Sequence, residues 1–207
     1  MIAIVIIGYI IVVYYIISSC MNYPNASKQY KKPSISTSKR GMSLEEDINT
    51  TNSTYLRDDI AIIHKKPTPI TLVNVDYPKR SAAKISEAYF KLPSTTDYNG
   101  IYKAKYIDFE AKECNLKTSF PFSSIHAHQI KHLRSIIRHG GIGFIIIRMS
   151  AYEKDYFIKA EDFLSYYDLK ARKSLPYEWI KEFGYEINYR YQKPVDYIEV
   201  IDNVYKL

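Results

Sequence analysis

Three residues in one short stretch have the types and spacing of a phosphodiester-cleaving site. The segment "STTDYNGIYKAKYIDFEAKE", Ser94 to Glu113, contains Asp97, Glu110 and Lys112. On a strand, Glu110 and Lys112 sit one side-chain repeat apart, about 6.6 Å, so an acid and a base share a face. Two carboxylates on neighbouring strands can hold Mg²⁺, a hard cation that prefers oxygen ligands and keeps several waters. Such an ion polarises a phosphodiester and lowers the pKa of a bound water. Lys112 can hold that water or stabilise charge on the pentavalent phosphate. An isolated E-x-K is most simply an ion pair on a solvated strand face. An Asp upstream on a paired strand brings the catalytic reading level with that bland one.

Whether Asp97 reaches the other two depends on where the chain turns. Asn99-Gly100 is the stronger hairpin signal. A turn there pairs Asp97 near Tyr102 and leaves it roughly 26 Å of strand from Glu110. A turn at Ala104-Lys105 places Asp97 opposite Lys112 and diagonal to Glu110, with opposed Cβ atoms about 5 Å apart. The second turn gathers all three ionic side chains and is the one expected. The alternation of Ile107, Phe109 and Ala111 with Asp108, Glu110 and Lys112 supports it. One face would pack on the core and the other would carry acid, acid and base. The spacing is then the PD-(D/E)xK nuclease pattern, which is loose when taken alone.

These residues need a scaffold, and the flanking sequence predicts one. Ser43 and Glu46 form a capping-box pair, and Leu44, Ile48 and Tyr55 form a thin apolar stripe, so a helix begins at Leu44. "IAIIHKK" and "ITLVNVDY" are short β-rich runs separated by Pro67 and Pro69. "KRSAAKISEAYFK", Lys79 to Lys91, has helical spacing, interrupts a run of strands, and reads as an inserted projection. "SSIHAHQIKHLRSIIRHGG" reads as a helix capped by Ser123 or Ser124 and stopped by Gly140 and Gly141. "IGFIIIRM" is a continuous apolar run suited to a buried central strand, "DYFIKA" a further strand and "AEDFLSYYDLKARK" a helix. "YIEVI" is a last apolar run near the C-terminus. The alternation indicates an α/β domain with a mixed sheet.

Composition narrows the class of partner. The chain has 207 residues, 46% of them hydrophobic, which is enough for one domain with a core and excludes global disorder. A net charge of +7 favours an anionic partner, nucleic acid first and an anionic membrane surface second. The 21 tyrosines suit contact surfaces, where they stack on bases or bond phosphates. Cys20 and Cys114 make neither a disulfide framework nor a zinc site, so a reducing, cytoplasmic setting is the simpler expectation. Residues 21–40 are polar and basic and read as a flexible arm. Residues 1–20 contain an apolar run, Ile2 to Ile17, followed by Ser18, Ser19 and Cys20. The run falls short of the ~20 residues of a spanning helix and lacks a secretory signal's basic n-region. "ISSC" loosely resembles a lipoprotein cleavage box, but the same missing Lys or Arg argues against it.

More than the triad forms a pattern. "RGMSLEEDIN", "IHKKPTP", "YPKRSAAKISEAYF", "STTDYNGIYK", "YIDFEAKE", "KTSFP" and "HQIKHL" together resemble the RecU family of Holliday junction resolvases, in the family's order and spacing. The resemblance runs from about Met21 to near the C-terminus, and its longer motifs are specific. It implies a restriction-endonuclease-like fold, a mixed β-sheet flanked by helices, within a domain spanning 41–207. It implies a homodimer that nicks two opposed strands of a four-way DNA junction with Mg²⁺, one ion per subunit and Mn²⁺ as an alternative. Recombinase or branch-migration proteins are further partners on this reading. The metal ligands carry over to Thr95, Asp97, Glu110 and Gln129, with Thr96 the competitor for Thr95. Lys112 takes the transition-state role. Lys79 to Lys91 becomes a stalk that reaches into the junction. Family members begin close to the equivalent of Met21, so translation is expected to start there, with a membrane anchor as the alternative for residues 1–20.

The remaining candidates each have an ordinary explanation. Lys65, Lys66, Lys79 and Arg80 are expected to contact DNA phosphates, although lysines also keep surfaces soluble. His128 and His132 are spaced i, i+4, but no third ligand accompanies them, so a solvated or DNA-facing helix is preferred to zinc. Glu45 and Glu46 are placed near the metal or simply at a helix N-terminus that favours acids. Cys114 is taken as incidental. Two other classes remain in play: a non-catalytic junction- or DNA-binding accessory protein, and a membrane-tethered basic adaptor.

Overall fold

The computed structural model describes residues 43–76, 84–90 and 95–207. The leader at 1–20, the arm at 21–40, and Lys79 and Arg80 lie outside the described residues. Helix α1 (Leu44–Arg57) starts as the sequence predicts. Ser43 Oγ accepts from the Glu46 amide at 3.3 Å, and Glu46 Oε2 accepts from the Ser43 amide at 2.9 Å. Its stripe of Leu44, Ile48 and Tyr55 is buried. Strand β1 (Ile62–Lys65) follows, then β2 (Ile70–Asp76) and β3 (Lys84–Phe90).

The segment expected to be a helix from Lys79 to Lys91 is, where described, a strand. β3 pairs antiparallel with β2, Ile70 facing Phe90 and Val75 facing Ile85. The β-branched run Ile70, Thr71, Val73 and Val75 makes β2 a strand, and its free edge imposes strand geometry on a partner with good helix formers. The ribbon joins no other sheet among the described residues. Leu72, Val73, Ile85, Tyr89 and Phe90 are all exposed, Phe90 at 84%. Where described, the segment is one strand of an exposed two-stranded antiparallel ribbon.

The main sheet runs through β4 (Tyr98–Tyr102), β5 (Lys105–Cys114), β7 (Ile142–Met149), β8 (Lys154–Lys159) and β10 (Tyr185–Glu186). Its order is β1-β4-β5-β7-β8-β10. Only β5 and β7 are parallel; the other pairs are antiparallel. A parallel pair needs a crossover, and α2 (Ala127–Arg138) supplies it, after the short β6 (Ser119–Pro121). Helix α3 (Ala160–Asp168) follows β8 directly. Then come β9 (Ser174–Pro176), which pairs with β6, and α4 (Tyr177–Phe183). The chain's last apolar run lies in α5 (Tyr197–Tyr205).

Helices cover both faces. On one, α1 and α5 pack Tyr55, Tyr197 and Ile201 against Phe109, Phe144 and Phe157. Tyr98, Phe109, Phe144 and Phe157 stack in sequence across β4, β5, β7 and β8, with centroids 4.9, 4.6 and 4.3 Å apart. On the other, α2, α3 and α4 pack Leu133, Phe163 and Ile180 against Ile145, Ile147 and Ile158. This is a mixed α/β architecture, a central mixed sheet between helices, in keeping with a restriction-endonuclease-like fold. The central strands are therefore buried on both sides. Asp108 and Glu110 do not lie on a solvated face, as the alternating pattern suggested; neither is exposed. No helix among the described residues is long and apolar enough to cross a membrane.

Candidate active site

The hairpin that builds the site turns at Lys103-Ala104. Tyr102 faces Lys105 and Tyr98 faces Phe109. Both turn residues have positive φ, 43° and 59°, which matches the right-handed twist of the flanking strands. Asn99-Gly100 sits inside β4 instead. A Cβ on Gly100 would lie 2.1 Å from the Ile62 carbonyl oxygen and 2.6 Å from Ile63 Cα. That glycine lets β1 approach β4 closely; it makes no turn. The register differs from the expected one by two residues, so its continuation sets Asp97 opposite Glu110 rather than Lys112. A two-residue shift preserves the face, and the three side chains still converge.

Lys112 Nζ forms an ion pair with Glu110 and lies 3.5 Å from Asp97 Oδ2. The Asp97 side chain is 37% exposed and that of Glu110 is fully buried. Neither Glu110 oxygen accepts a well-directed hydrogen bond. Burial pushes the Glu110 carboxyl up to about 8; the neighbouring Asp97 adds to this and Lys112 opposes it. Burial pulls Lys112 down, but Glu110 and Asp97 outweigh it and hold the ammonium above its usual range. Lys112 is thus a fixed positive charge and no proton acceptor. Two carboxylates face one ammonium, and the buried one lacks directed donors. An all-oxygen, net-negative pair of this kind fits a hard divalent cation.

The other expected ligands are near the site in sequence but otherwise engaged. Thr95 Oγ1 donates to the Thr96 carbonyl at 3.3 Å. Gln129 lies in the first turn of α2, and its Oε1 accepts from the His126 amide at 2.9 Å. It caps the helix that Ser123 or Ser124 was expected to cap; Phe122–Ser124 forms a separate 3₁₀ turn. A cation-ligating Gln129 would have to exchange that bond. Glu45 lines a cavity of about 170 Å³ together with Asp97, Tyr98 and Glu113. Glu46 is occupied in the α1 cap, and Glu113 accepts from the Leu44 amide at the same helix end.

The family described as "Recombination protein U" matches residues 39–203. The chain belongs to the RecU family. Curated relatives share about half of their residues with it. The Holliday junction resolvase RecU of Oceanobacillus iheyensis is 51% identical over 195 residues, covering 89% of this chain and 100% of that protein. The protein of the same name from Geobacillus kaustophilus is 50% identical over 187 residues, covering 89% and 92%. That from Bacillus cereus is 48% identical over 196 residues, covering 89% and 98%.

Within this RecU-family chain, two of the lysines assigned to DNA have protein partners. Lys65 forms an ion pair with Glu45 at the surface. Lys66 turns inward, its side chain only 18% exposed. Its Nζ bonds Asp108 Oδ2 at 2.7 Å and Thr96 Oγ1 at 2.9 Å. A buried carboxylate needs compensation, and the Lys66 ammonium supplies it to Asp108. His132 Nε2 lies 3.2 Å from the same Asp108 oxygen, so this histidine faces the interior as well. Thr96, the competitor for Thr95, also donates its hydroxyl to Asp108. Nothing local in the sequence singles out Asp108. "IDFEAK" shows two acids at i, i+2, and only tertiary contacts from residues 66, 96 and 132 separate them.

Proposed function

We propose that the chain is a Mg²⁺-dependent endonuclease that resolves four-way DNA junctions by paired, symmetric nicks. The observation that carries this reading is the buried, donor-poor Glu110 carboxylate with Asp97 and Lys112 against it. The names of its relatives, Holliday junction resolvase, support the junction as substrate. Asp97 and Glu110 would hold the ion, with Thr95 and Gln129 completing the set. When bound, the ion supplies Lewis-acid polarisation of the phosphodiester and a more acidic water. Lys112, held protonated by its two acids, would orient the attacking water and offset charge on the phosphate. Lys65, Lys79 and Arg80 are the phosphate contacts in this reading; such contacts set position and carry no sequence information. A homodimer accounts for pairing: a C2 pair presents two equivalent sites to a junction of approximate two-fold symmetry.

Cleavage of a synthetic four-way junction with Mg²⁺ tests the reading. Wild type is expected to cut, and Asp97→Ala to lose about a thousandfold in rate while still binding. Wild-type binding with no metal-dependent cutting would instead make the chain an accessory junction-binding protein.

A further inference from the structure

Asp108 is bound by donors from four parts of the chain. Thr96 donates to Oδ1. Oδ2 accepts from Lys66 Nζ at 2.7 Å and Tyr106 OH at 2.9 Å, with His132 Nε2 at 3.2 Å. Lys66 follows β1, Thr96 precedes β4, Tyr106 is on β5 and His132 is on α2. Asn99 Nδ2 steadies Tyr106 in turn, donating to its hydroxyl at 3.1 Å. Lys66 grips the same loop a second time, its amide donating to the Asp97 carbonyl at 2.8 Å.

Three members of this cluster sit beside expected ligands. Thr96 lies between Thr95 and Asp97. Asp108 is one side-chain repeat before Glu110 on β5. His132 is three residues after Gln129, on the same face of α2. We infer that Asp108 is a positioning residue: one buried carboxylate gathers the loop, strand and helix that carry the metal ligands and fixes their separation. Asp108 itself, saturated with protein donors, touches neither ion nor substrate. Lys66 thereby changes role, from a phosphate contact to the cation that closes this clamp. The inference rests on the metal-dependent reading above.

A readout without DNA or catalysis decides it. Mn²⁺ binding to the full chain, followed by electron paramagnetic resonance, is compared for wild type, Asp108→Asn, Thr96→Val and Thr96→Ser. Asp108→Asn is expected to weaken binding about tenfold to a hundredfold, the range seen when a group that orients a metal ligand is lost. Thr96→Val is expected to weaken it by less, and Thr96→Ser, which keeps the hydroxyl, to restore it. Junction affinity in EDTA is expected to stay within about twofold throughout, since the clamp is internal. A purely structural Asp108 would lower the melting temperature without changing Mn²⁺ affinity measured well below it. Variants that bind Mn²⁺ like wild type overturn the inference alone. A wild type that binds no Mn²⁺ overturns the metal-dependent reading with it. If Asp108→Asn does not fold, Tyr106→Phe, which removes a donor to Asp108 that is no candidate metal ligand, decides by the same criterion.

Discussion

Asp108 and Glu110 occupy successive positions on one face of β5, and neither side chain is exposed. Around Asp108 the protein supplies an ammonium, two hydroxyls and an imidazole. Around Glu110 it supplies one off-axis ammonium and a second carboxylate. Burying a charge without compensation is unfavourable, so the first pocket is closed and the second is left short of a cation. Identical burial therefore marks two different uses: one acid tightens the fold and the other destabilises it locally, as functional sites commonly do.

Swapping each acid for its amide gives the largest contrast. Asp108→Asn leaves Lys66 uncompensated and is expected to destabilise the protein by about 3–5 kcal/mol. Glu110→Gln removes a carboxyl that resists ionisation. At pH 8 in EDTA it is expected to raise stability by a few kcal/mol while abolishing cleavage, a stability-for-activity exchange. Urea denaturation of both variants measures the two signs. If both fall the same way, the distinction between the pockets is wrong.

The next effect is a pH slope confined to Glu110. Its folded pKa, about 8, exceeds the ordinary 4.5, so the metal-free folded state holds an extra proton between those values. Stability contributed by that proton is complete below about 4.5 and is lost as pH rises to about 8, by up to about 1.4 kcal/mol per unit. Melting temperature in EDTA is expected to fall across this window. Glu110→Gln removes this contribution, and saturating Mg²⁺ reduces it. A wild-type melting temperature no steeper in pH than that of Glu110→Gln would show that Glu110 is not suppressed by its surroundings.

The triad was legible because it is local. Asp97, Glu110 and Lys112 lie on one hairpin, and a strand's two-residue period forces them onto one side even when the register is off by two. Helix α1 was legible for the same reason, since Ser43 and Glu46 form its cap within one turn. What failed depended on partners distant in sequence. Asn99-Gly100 reads as a turn until β1 is seen 2.1 Å from the Cβ that Gly100 lacks. The 84–90 segment reads as a helix until β2 claims it as a strand. The bond from Lys66 to Asp108, 42 positions later, cannot be read from either segment alone. Gln129 reads as a surface residue unless the family resemblance is invoked, and even then its bond to His126 was not visible.

Gly100 offers the mildest way to separate the two pockets. It packs under Ile62 and Ile63 of β1, the strand that delivers Lys66 to Asp108. Glu110 and Lys112 lie on β5 and do not depend on β1 for their pairing. Gly100→Ala places a methyl where backbone now stands, so β1 must shift, with a loss of about 1–3 kcal/mol typical of overpacking. The shift loosens Lys66 from Asp108 but leaves the Glu110–Lys112 pair in place. The variant is therefore expected to melt lower than wild type in EDTA, yet to keep the same pH slope between 5 and 8 because that slope belongs to Glu110. A lower melting point with the slope intact would assign β1 to the Asp108 pocket alone. A slope that disappears together with the stability would mean that the two acids share one support.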